Sequence, residues 1–273
     1  MKLAGVVILY NPEDIVLNNI KTYLKELDVL YVFDNSDCFN KHLIRSLQNI
    51  KVIKYISFHR NCGIAFALNF VLKHISGYNY LLTMDQDSSF DVGMMKRYKM
   101  NIMETENKNI AVFSINWRKS QYNNPYKYIN NAITSGAIIN VDLARELGGF
   151  DENLFIDQVD FEYCYRAQKN GHYILQFNNI TLNHHLGTVK QYVFLGIHFS
   201  LRFHDALRNY YICRNNLYVM KRYPQVRFNY SKDMIKLFIV SILFGKNRFH
   251  QLKYWGRAIY DFYYHKWGKL DRE

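Results

Sequence analysis

The chain has 273 residues, of which 49% are hydrophobic, so it can form one large domain or one domain with an appendage. Its 35 Lys and Arg outnumber its 23 Asp and Glu, and the net charge of +12 favours an anionic partner such as nucleic acid, a membrane surface or a phosphorylated substrate. The four cysteines form no Cys-x-x-Cys pair, which argues against a zinc knuckle or a disulfide scaffold and indicates a reducing cytoplasm.

The first half of the chain alternates apolar strands with amphipathic helices. Four buried strands are predicted at Leu3–Leu9, Val29–Phe33, Val52–Ile56 and Tyr80–Met84. Helices are predicted between them, with Pro12 in the first turn of the first, then over Lys41–Gln48 and Gly63–His74. This order predicts an α/β fold with a doubly wound, mostly parallel sheet.

The second half is less regular. Strands are predicted at Ile110–Ile115, Ala132–Val141 and Tyr173–Phe177, and helices at Asp142–Glu146 and Asp157–Lys169. The polar stretch from Trp117 to Asn131 predicts a loop, and the basic, aromatic chain from His198 onwards predicts helices alone. We therefore expect a nucleotide-binding domain over 1–195 and a C-terminal helical extension over 196–273.

Membrane-spanning segments are not expected. The N-terminal apolar stretch ends at Asn11-Pro12 and predicts a strand rather than a signal peptide. The longest later apolar run, Leu237–Phe244, is far shorter than the roughly 20 residues that cross a bilayer. The expected location is the cytoplasm, with peripheral attachment to the inner face of the membrane left open.

Polar side chains follow three of the predicted strands. Asn11 follows the first strand, Asp34-Asn35 the second, and Asp85-Gln86-Asp87 the fourth. Ligands of doubly wound sheets bind beyond the carboxyl ends of the strands, so these residues predict a binding site there. Asp85 and Asp87 offer the hard oxygen ligands that Mg²⁺ or Mn²⁺ prefers, although Asp residues before Ser88-Ser89 are also typical of a solvated, helix-capping turn.

Two further clusters carry candidate chemistry. Asp157, Asp160 and Glu162 lie at the start of a predicted helix, where a carboxylate can accept a proton or simply stabilise the helix dipole. Asp157 and Asp160, three residues apart, are expected on one helical face, and Arg166 is expected to hold the cluster by ion pairing. His184 can complete a metal shell, or belong to a polar surface loop.

In order and spacing, nine motifs together resemble the GT-A family 2 of inverting glycosyltransferases, in particular its rhamnosyltransferase-like branch. The resemblance covers roughly residues 3 to 220. The motifs are Val7-Ile8-Leu9-Tyr10-Asn11-Pro12, Phe33-Asp34-Asn35-Ser36, Asn61-x-Gly63-x-Ala65-x-Ala67-x-Asn69, Met84-Asp85-Gln86-Asp87, Thr134-Ser135-Gly136, Gly148-Gly149-Phe150-Asp151-Glu152-x-Leu154-Phe155-Ile156-Asp157, Val159-Asp160-x-Glu162-x-Cys164-x-Arg166, His184-x-x-Gly187 and Tyr211-x-x-Arg214-Asn215.

The resemblance implies a role for each motif. The donor-binding residues would be Tyr10, Asn11, Asp34, Asn35, Asn61, Gly63, Asp85 and Gln86. The metal ligands would be Asp85, Asp87 and His184, and the acceptor-side residues Gly136, Glu162 and Arg166. The catalytic base would be Asp160, with Asp157 as the alternative because Val159 occupies the place where many members carry an acid.

The implied reaction is inverting transfer of a sugar from a nucleoside diphosphate donor to a glycan or lipid-linked glycan, as in O-antigen or capsule synthesis. The branch implies dTDP-rhamnose, while a UDP-hexose or UDP-N-acetylhexosamine stays an alternative. A nucleotidyltransferase is disfavoured because Tyr10–Asp14 has neither the glycines nor the positive charge of a phosphate loop. A silent sugar- or lipid-binding partner remains a rival, and nucleic-acid binding is not expected because no reading motif is present.

The C-terminal extension has two interpretations that are compatible. Its apolar helix around Met234–Ile242, surrounded by Lys and Arg, is typical either of a layer docked on the catalytic domain or of an interfacial helix on an anionic membrane.

Overall fold

The structure, a computed structural model, describes residues 1–184, 189–194, 197–202, 204–244 and 247–270, with side chains described for 1–183, 204–243 and 247–270. These residues form two compact units. The first comprises residues 1–152 and 159–185, and the second comprises 153–158 and 186–273, as far as each is described. The functional division predicted at residue 195 stays a prediction.

The first unit is built on an eight-stranded sheet. Its strands, in chain order and leaving aside two-stranded pairs, are β1 (Leu3–Leu9), β2 (Val29–Asp34), β3 (Ile53–Ser57), β4 (Tyr80–Asp85), β6 (Ile110–Ile115), β7 (Tyr126–Tyr128), β8 (Ala137–Asn140) and β9 (Tyr173–Phe177). Their spatial order is β3-β2-β1-β4-β8-β6-β9-β7. Strands β3, β2, β1 and β4 are parallel, and β8 runs antiparallel between β4 and β6. The predicted mostly parallel α/β sheet is confirmed.

Helices flank the strands of this unit: α1 (Ile15–Leu24), α2 (Lys41–Gln48), α3 (Ile64–His74), α4 (Met94–Glu104), α5 (Val141–Glu146) and α6 (Val159–Lys169). The two central strands β1 and β2 are buried along almost their whole length, because helices cover both faces of a parallel sheet. A short pair, β5 (Ser88–Ser89) with β10 (Asn183–His184), lies beside the end of β4.

Several predictions were wrong in the first unit. Helix α1 begins at Ile15, so Pro12 is not in its first turn, and the loop predicted from Trp117 to Asn131 contains the short strand β7. The strand predicted from Ala132 begins only at Ala137, because Gly136 takes a left-handed φ of +78°. The helix predicted from Asp157 begins at Val159, because Asp157 and Gln158 have φ of +63° and +66°. Asp157 and Asp160 therefore do not share a helical face.

The second unit contains α7 (Ala206–Arg222), α8 (Arg227–Phe244) and α9 (Arg248–Tyr263). The prediction of helices alone was wrong, since β11 (Val189–Phe194) and β12 (Ile197–Arg202) form an antiparallel pair. Alternation of apolar and polar residues from Ile197 to Arg202 is the strand period that the prediction overlooked. In the described part of the chain, no helix is both long and apolar enough to span a membrane.

Aromatic packing holds the helices of the second unit together. Trp255 of α9 packs its ring against Phe238 of α8 at 5.2 Å and donates its indole N–H to Ser241 Oγ at 3.2 Å. On α7, Arg214 is only 1% exposed and donates to Tyr210 Oη at 3.1 Å and to the Gly268 carbonyl at 2.9 Å. The same helices thus form the unit's own core.

Candidate donor and catalytic site

The carboxyl ends of β1 and β4 are joined by a reciprocal pair of hydrogen bonds. The Tyr10 amide donates to Gln86 Oε1 at 2.8 Å, and Gln86 Nε2 donates to the Tyr10 carbonyl at 3.2 Å. Asn19 of α1 fixes the same turn by donating to the Gln86 carbonyl at 2.9 Å. Two predicted donor-side residues are therefore neighbours, and the Tyr10 ring stays 46% exposed beside them.

The end of β2 lies next to the end of β1, as the predicted binding edge requires. The Asn11 amide donates to Ser36 Oγ at 2.7 Å, which ties the two loops together. Asp34 is only 1% exposed and accepts from Tyr55 Oη at 2.7 Å and from the Ser36 amide at 2.9 Å. Burial and this hydrogen bond to Asp34 raise the pKa of Tyr55. Asp34 thus shapes the edge from within rather than presenting an open carboxylate.

The turn before α3 completes this edge. Asn35 Oδ1 accepts from the Cys62 amide at 3.1 Å, and Asn35 Nδ2 donates to the Gly63 carbonyl at 3.2 Å. Asn61 Oδ1 accepts from the Gly63 amide at 2.9 Å. Gly63 has a φ of +88°, a conformation that a residue with a Cβ rarely adopts. Asn35, Asn61 and Gly63, all predicted from the sequence, therefore form one hydrogen-bonded corner.

The two carboxylates of the candidate metal site follow β4 directly. Asp85 is its last residue and Asp87 precedes β5, and both are partly exposed. The Asp85 amide donates to Ser135 Oγ at 3.3 Å. The pairing of β5 with β10 puts the backbone of His184 opposite Ser88, one residue from Asp87. The side chain of His184 and residue Gly187 lie outside the described residues.

The side chains of Asp85 and Asp87 are suitable ligands for a divalent cation. Asp85 and Asp87 supply hard oxygens on a short turn, which is what Mg²⁺ and Mn²⁺ prefer. The pKa of the buried Tyr23 is raised mainly by its burial and to a smaller extent by the negative charge of Asp85. Among the described side chains, no three potential ligands already form a closed cluster. The described part of the candidate metal site thus consists of the carboxylates of Asp85 and Asp87.

Asp160 lies in the first turn of α6 and is fastened to the loop before β8. Its Oδ2 accepts from the Thr134 amide at 2.9 Å and lies 3.3 Å from Thr134 Oγ1, and its Oδ1 accepts from the Phe161 amide at 2.9 Å. Burial raises the pKa of Asp160, although these hydrogen bonds oppose the shift. Since Thr134 precedes the Ser135 that bonds to Asp85, one dipeptide links the candidate base to the candidate metal site.

Gly136 closes the same loop and has a structural reason to be glycine. Its amide donates to the Thr83 carbonyl of β4 at 2.9 Å, and its φ is +78°. A Cβ there would lie 3.1 Å from two carbons of the Ile115 side chain. Gly136 therefore allows the Thr134–Gly136 loop to turn closely over β4, beside Asp160.

Asp157 belongs to the second unit, and its described contacts are made within that unit. Its carboxylate pairs with Arg208 at 2.6 Å, and Asn215 Nδ2 donates to the carbonyls of Leu154, Ile156 and Asp157 at 3.0, 2.6 and 3.2 Å. Phe155, Asp157 and Gln158 all have positive φ, so this segment depends on the buried Asn215 for its shape. The contacts of Asp157 are those of a structural ion pair.

Glu162 and Arg166, predicted on the acceptor side, face the interior instead. Glu162 is 0% exposed and pairs with Arg166 at 2.9 Å, one helical turn away. Arg166 also donates to the carbonyls of Leu147 and Gly149. The predicted ion pairing of Arg166 therefore joins α6 to the Gly148–Gly149 turn, and involves Glu162 rather than either aspartate.

Comparison with known proteins identifies the chain. A model of glycosyl transferase family 2 matches residues 6–164. The chain belongs to this family. The dTDP-rhamnosyl transferase RfbF of Shigella flexneri is 30% identical to it over 245 residues, which are 81% of this chain and 80% of the relative. The resemblance to the rhamnosyltransferase-like branch is confirmed, and the protein is a glycosyltransferase.

Solved structures agree on the fold of this glycosyltransferase. GalNAc-T7, solved with UDP, GalNAc and Mn²⁺, superposes with a TM-score of 0.58 at 13% identity over 67% of this chain, which corresponds to 43% of that protein. TarS of S. aureus, solved with UDP-GlcNAc, gives a TM-score of 0.57 at 16% identity over 96% of this chain and 80% of TarS. At such identities the likeness shows the GT-A fold alone.

Sequence reasoning missed residues that form hydrogen bonds to the candidate site residues. Thr134 and Ser135 belong to the motif Thr134-Ser135-Gly136, but no functional role was predicted for them. Both form hydrogen bonds to predicted site residues, Thr134 to Asp160 and Ser135 to Asp85. Tyr55, the partner of Asp34, is an ordinary strand residue in the sequence and nothing local marks it. Only the parallel register of β2 with β3 brings Tyr55 within reach.

The Glu162–Arg166 pair of the transferase should be important for stability. We expect Arg166→Ala to lower the free energy of unfolding by about 3–5 kcal/mol, because it leaves the buried Glu162 carboxylate without its cation. Urea unfolding measures this, with Lys169→Ala, an exposed position of the same helix, as the control. A loss no larger than that of the control would contradict the structural role.

Proposed function

We propose that the enzyme transfers L-rhamnose from dTDP-rhamnose to a hydroxyl of a glycan or lipid-linked glycan during surface polysaccharide synthesis. The observation that carries the proposal is the linkage of Asp160, through Thr134-Ser135, to Asp85 at the carboxyl end of β4. A proton acceptor thereby stands beside the place proposed for the donor diphosphate. The 30% identity to a dTDP-rhamnosyl transferase supports this choice of donor.

The proposed mechanism is a single displacement that inverts the anomeric carbon. Asp160 accepts the proton of the acceptor hydroxyl, and the oxygen attacks the anomeric carbon from the side opposite the leaving nucleoside diphosphate. The raised pKa of Asp160 makes the carboxylate a stronger proton acceptor than an exposed aspartate. Its hydrogen bonds to Thr134 fix the direction in which the carboxylate points.

The donor is proposed to lie along the edge formed by β1, β2 and α3. Tyr10 presents an exposed ring for the base, while Asn11, Asn35, Asn61 and Gly63 shape the wall of the cleft. Asp34 acts through Tyr55 and Ser36, and Gln86 holds Tyr10 in place. Asp85 and Asp87, with His184, would hold Mg²⁺ or Mn²⁺, which when bound offsets the charge of the diphosphate.

Two rivals differ in their binding properties. A UDP-hexose or UDP-N-acetylhexosamine transferase would use the same residues with another base, and a silent partner would bind no donor. We expect calorimetric titration with dTDP, UDP, GDP and CDP to show tightest binding of dTDP with Mn²⁺ and a loss of binding in EDTA. Tightest binding of UDP would favour the first rival, and absence of binding in all four titrations would favour the second.

The location we propose is the inner face of the membrane, reached through α8. One stripe of this helix exposes Phe228, Ile235, Ile239 and Leu243 at 81, 62, 48 and 57%. Lys232 and Lys236 flank the stripe and are exposed. The opposite side of α8 packs Met234 and Leu237 into the second unit's core, so the stripe has no partner within that packing. Apolar side chains flanked by lysines suit an anionic lipid surface.

We expect the double change Ile235→Ser and Ile239→Ser to weaken binding to phosphatidylglycerol-containing vesicles at least about tenfold, because two apolar side chains no longer enter the interface. Vesicle co-sedimentation measures this, and Asn229→Ser on the same exposed helix is the control. Higher salt should also weaken binding through the lysines. Unchanged sedimentation of the double variant would rule out attachment through α8.

A further inference from the structure

A cavity of about 500 Å³ lies at the opposite edge of the sheet from the donor site. The edge strand β7 forms one wall, and the C-terminal end of α4 with the loop that follows it forms the other. Four strand positions separate β7 from β4, which corresponds to about 19 Å at about 4.8 Å per strand. The cavity is therefore distinct from the site around Asp85 and Asp160.

The floor and one wall of this edge cavity follow from the strand register. Tyr126 pairs with Phe177, and Tyr128 pairs with Leu175, so all four side chains lie on one face of the sheet. Leu175 and Phe177 are buried beneath, at 2% and 4% exposure. Tyr126 and Tyr128 on the edge strand stay 51% and 54% exposed. Two rings thus border an apolar floor.

The other wall carries hydrogen-bonding groups without positive charge. Asn101 Nδ2 donates to Asn179 Oδ1 at 3.1 Å, and Asn107 Nδ2 lies 3.5 Å from Tyr128 Oη. Glu104 and Glu106 are both exposed at the rim. No Lys or Arg is among the described lining residues, although the whole chain carries +12. Such a wall repels phosphate and offers both donors and acceptors to hydroxyl groups.

We propose that this edge cavity binds a neutral oligosaccharide stretch of the acceptor, away from the reacting hydroxyl. Sugar rings present C–H faces that pack on aromatic rings and hydroxyls that bond to amides and carboxylates, which is the combination found here. The inference rests on the proposed transfer to a glycan. An acceptor held at two places stays bound longer than one held only at the reacting end.

The test uses the Asp160→Asn variant of the whole 273-residue chain without sugar donor, so that oligosaccharide binding is measured independently of transfer. The probes are neutral oligosaccharides of about three to six sugars, containing rhamnose, galactose, glucose or N-acetylglucosamine, followed by saturation-transfer NMR and calorimetry. At least one should bind, and Tyr128→Ala should weaken it about tenfold. Tyr128→Phe should keep most of the affinity because the ring remains.

Tyr122→Ala is the matched control, since this tyrosine is 42% exposed on the preceding loop but does not line the cavity. Its affinity should equal that of the parent, and circular dichroism should show that every variant is folded. Absence of oligosaccharide binding, or affinity unchanged by Tyr128→Ala, overturns the proposal. Binding here without turnover in the intact enzyme would refute only the transfer function.

Discussion

Asp160→Asn is expected to lower the transfer rate at least about 10³-fold while leaving donor binding nearly unchanged. The amide keeps the size of the carboxylate but cannot accept the acceptor proton. Asp160 is fastened to Thr134 rather than to the residues proposed to bind the donor, so nucleotide affinity should persist. Steady-state kinetics and calorimetry on the same preparation separate the two quantities. Asp142→Asn, an exposed aspartate on α5, is the control.

The pH dependence of the transfer rate of the parent enzyme is a second test of the role of Asp160. Burial raises the pKa of Asp160, and the base works only when ionised. The rate should therefore fall as the pH drops through a value above the ordinary aspartate pKa of 3.8. An Asp160→Asn enzyme that turns over at the parent rate, or an acid limb that persists unchanged in that variant, would exclude Asp160 as the base.

Asp87→Ala is expected to weaken metal-dependent nucleotide binding by about 100-fold or more. The loss should appear only with Mn²⁺ present, because in EDTA the carboxylate has no cation to hold. Thermal unfolding with Mn²⁺ and dTDP offers an independent measurement, since a ligand stabilises the folded state more when it binds more tightly. Parent protein should gain stability from the pair of ligands together, whereas the variant should gain little.

Control variants show whether the loss of nucleotide binding in Asp87→Ala is specific to the candidate metal site. Asp142→Ala removes a carboxylate elsewhere in the same unit and should bind metal and nucleotide as the parent does. Asp85→Ala should resemble Asp87→Ala, and it should also disturb the turn that Ser135 contacts. If Asp87→Ala bound dTDP with the parent's dependence on Mn²⁺, the ligand role would be lost and the turn would be structural.

The fold could be predicted largely because most of its strand residues are apolar and buried. Leu3–Leu9, Ile110–Ile115 and Tyr173–Phe177 were predicted with the bounds that the structure gives them. A strand buried on both faces is mostly apolar, so its limits are visible in the sequence. The candidate binding edge was predicted from the same pattern, because polar residues cluster at the carboxyl ends of the strands.

The features that could not be predicted from the sequence depend on contacts between residues far apart in the chain. The helix predicted from Asp157 is displaced because Asn215, about sixty positions later, binds the carbonyls of the preceding turn. The resemblance implied an acceptor-side role for Glu162, and its burial against Arg166, which contacts the Gly148–Gly149 turn, could not be predicted from the sequence. The periodicity of apolar residues predicts neither the start of this helix nor the burial of Glu162, because both depend on tertiary contacts.

The central claim is most directly tested by a transfer reaction with purified enzyme, a lipid-linked glycan acceptor and dTDP-rhamnose, UDP-glucose or UDP-N-acetylglucosamine as donor. We predict dTDP release and a rhamnosylated product from dTDP-rhamnose alone, with an anomeric configuration opposite to that of the donor by NMR. A product from a UDP-sugar in preference to dTDP-rhamnose would contradict the proposed donor. Retained configuration would contradict the single displacement by Asp160.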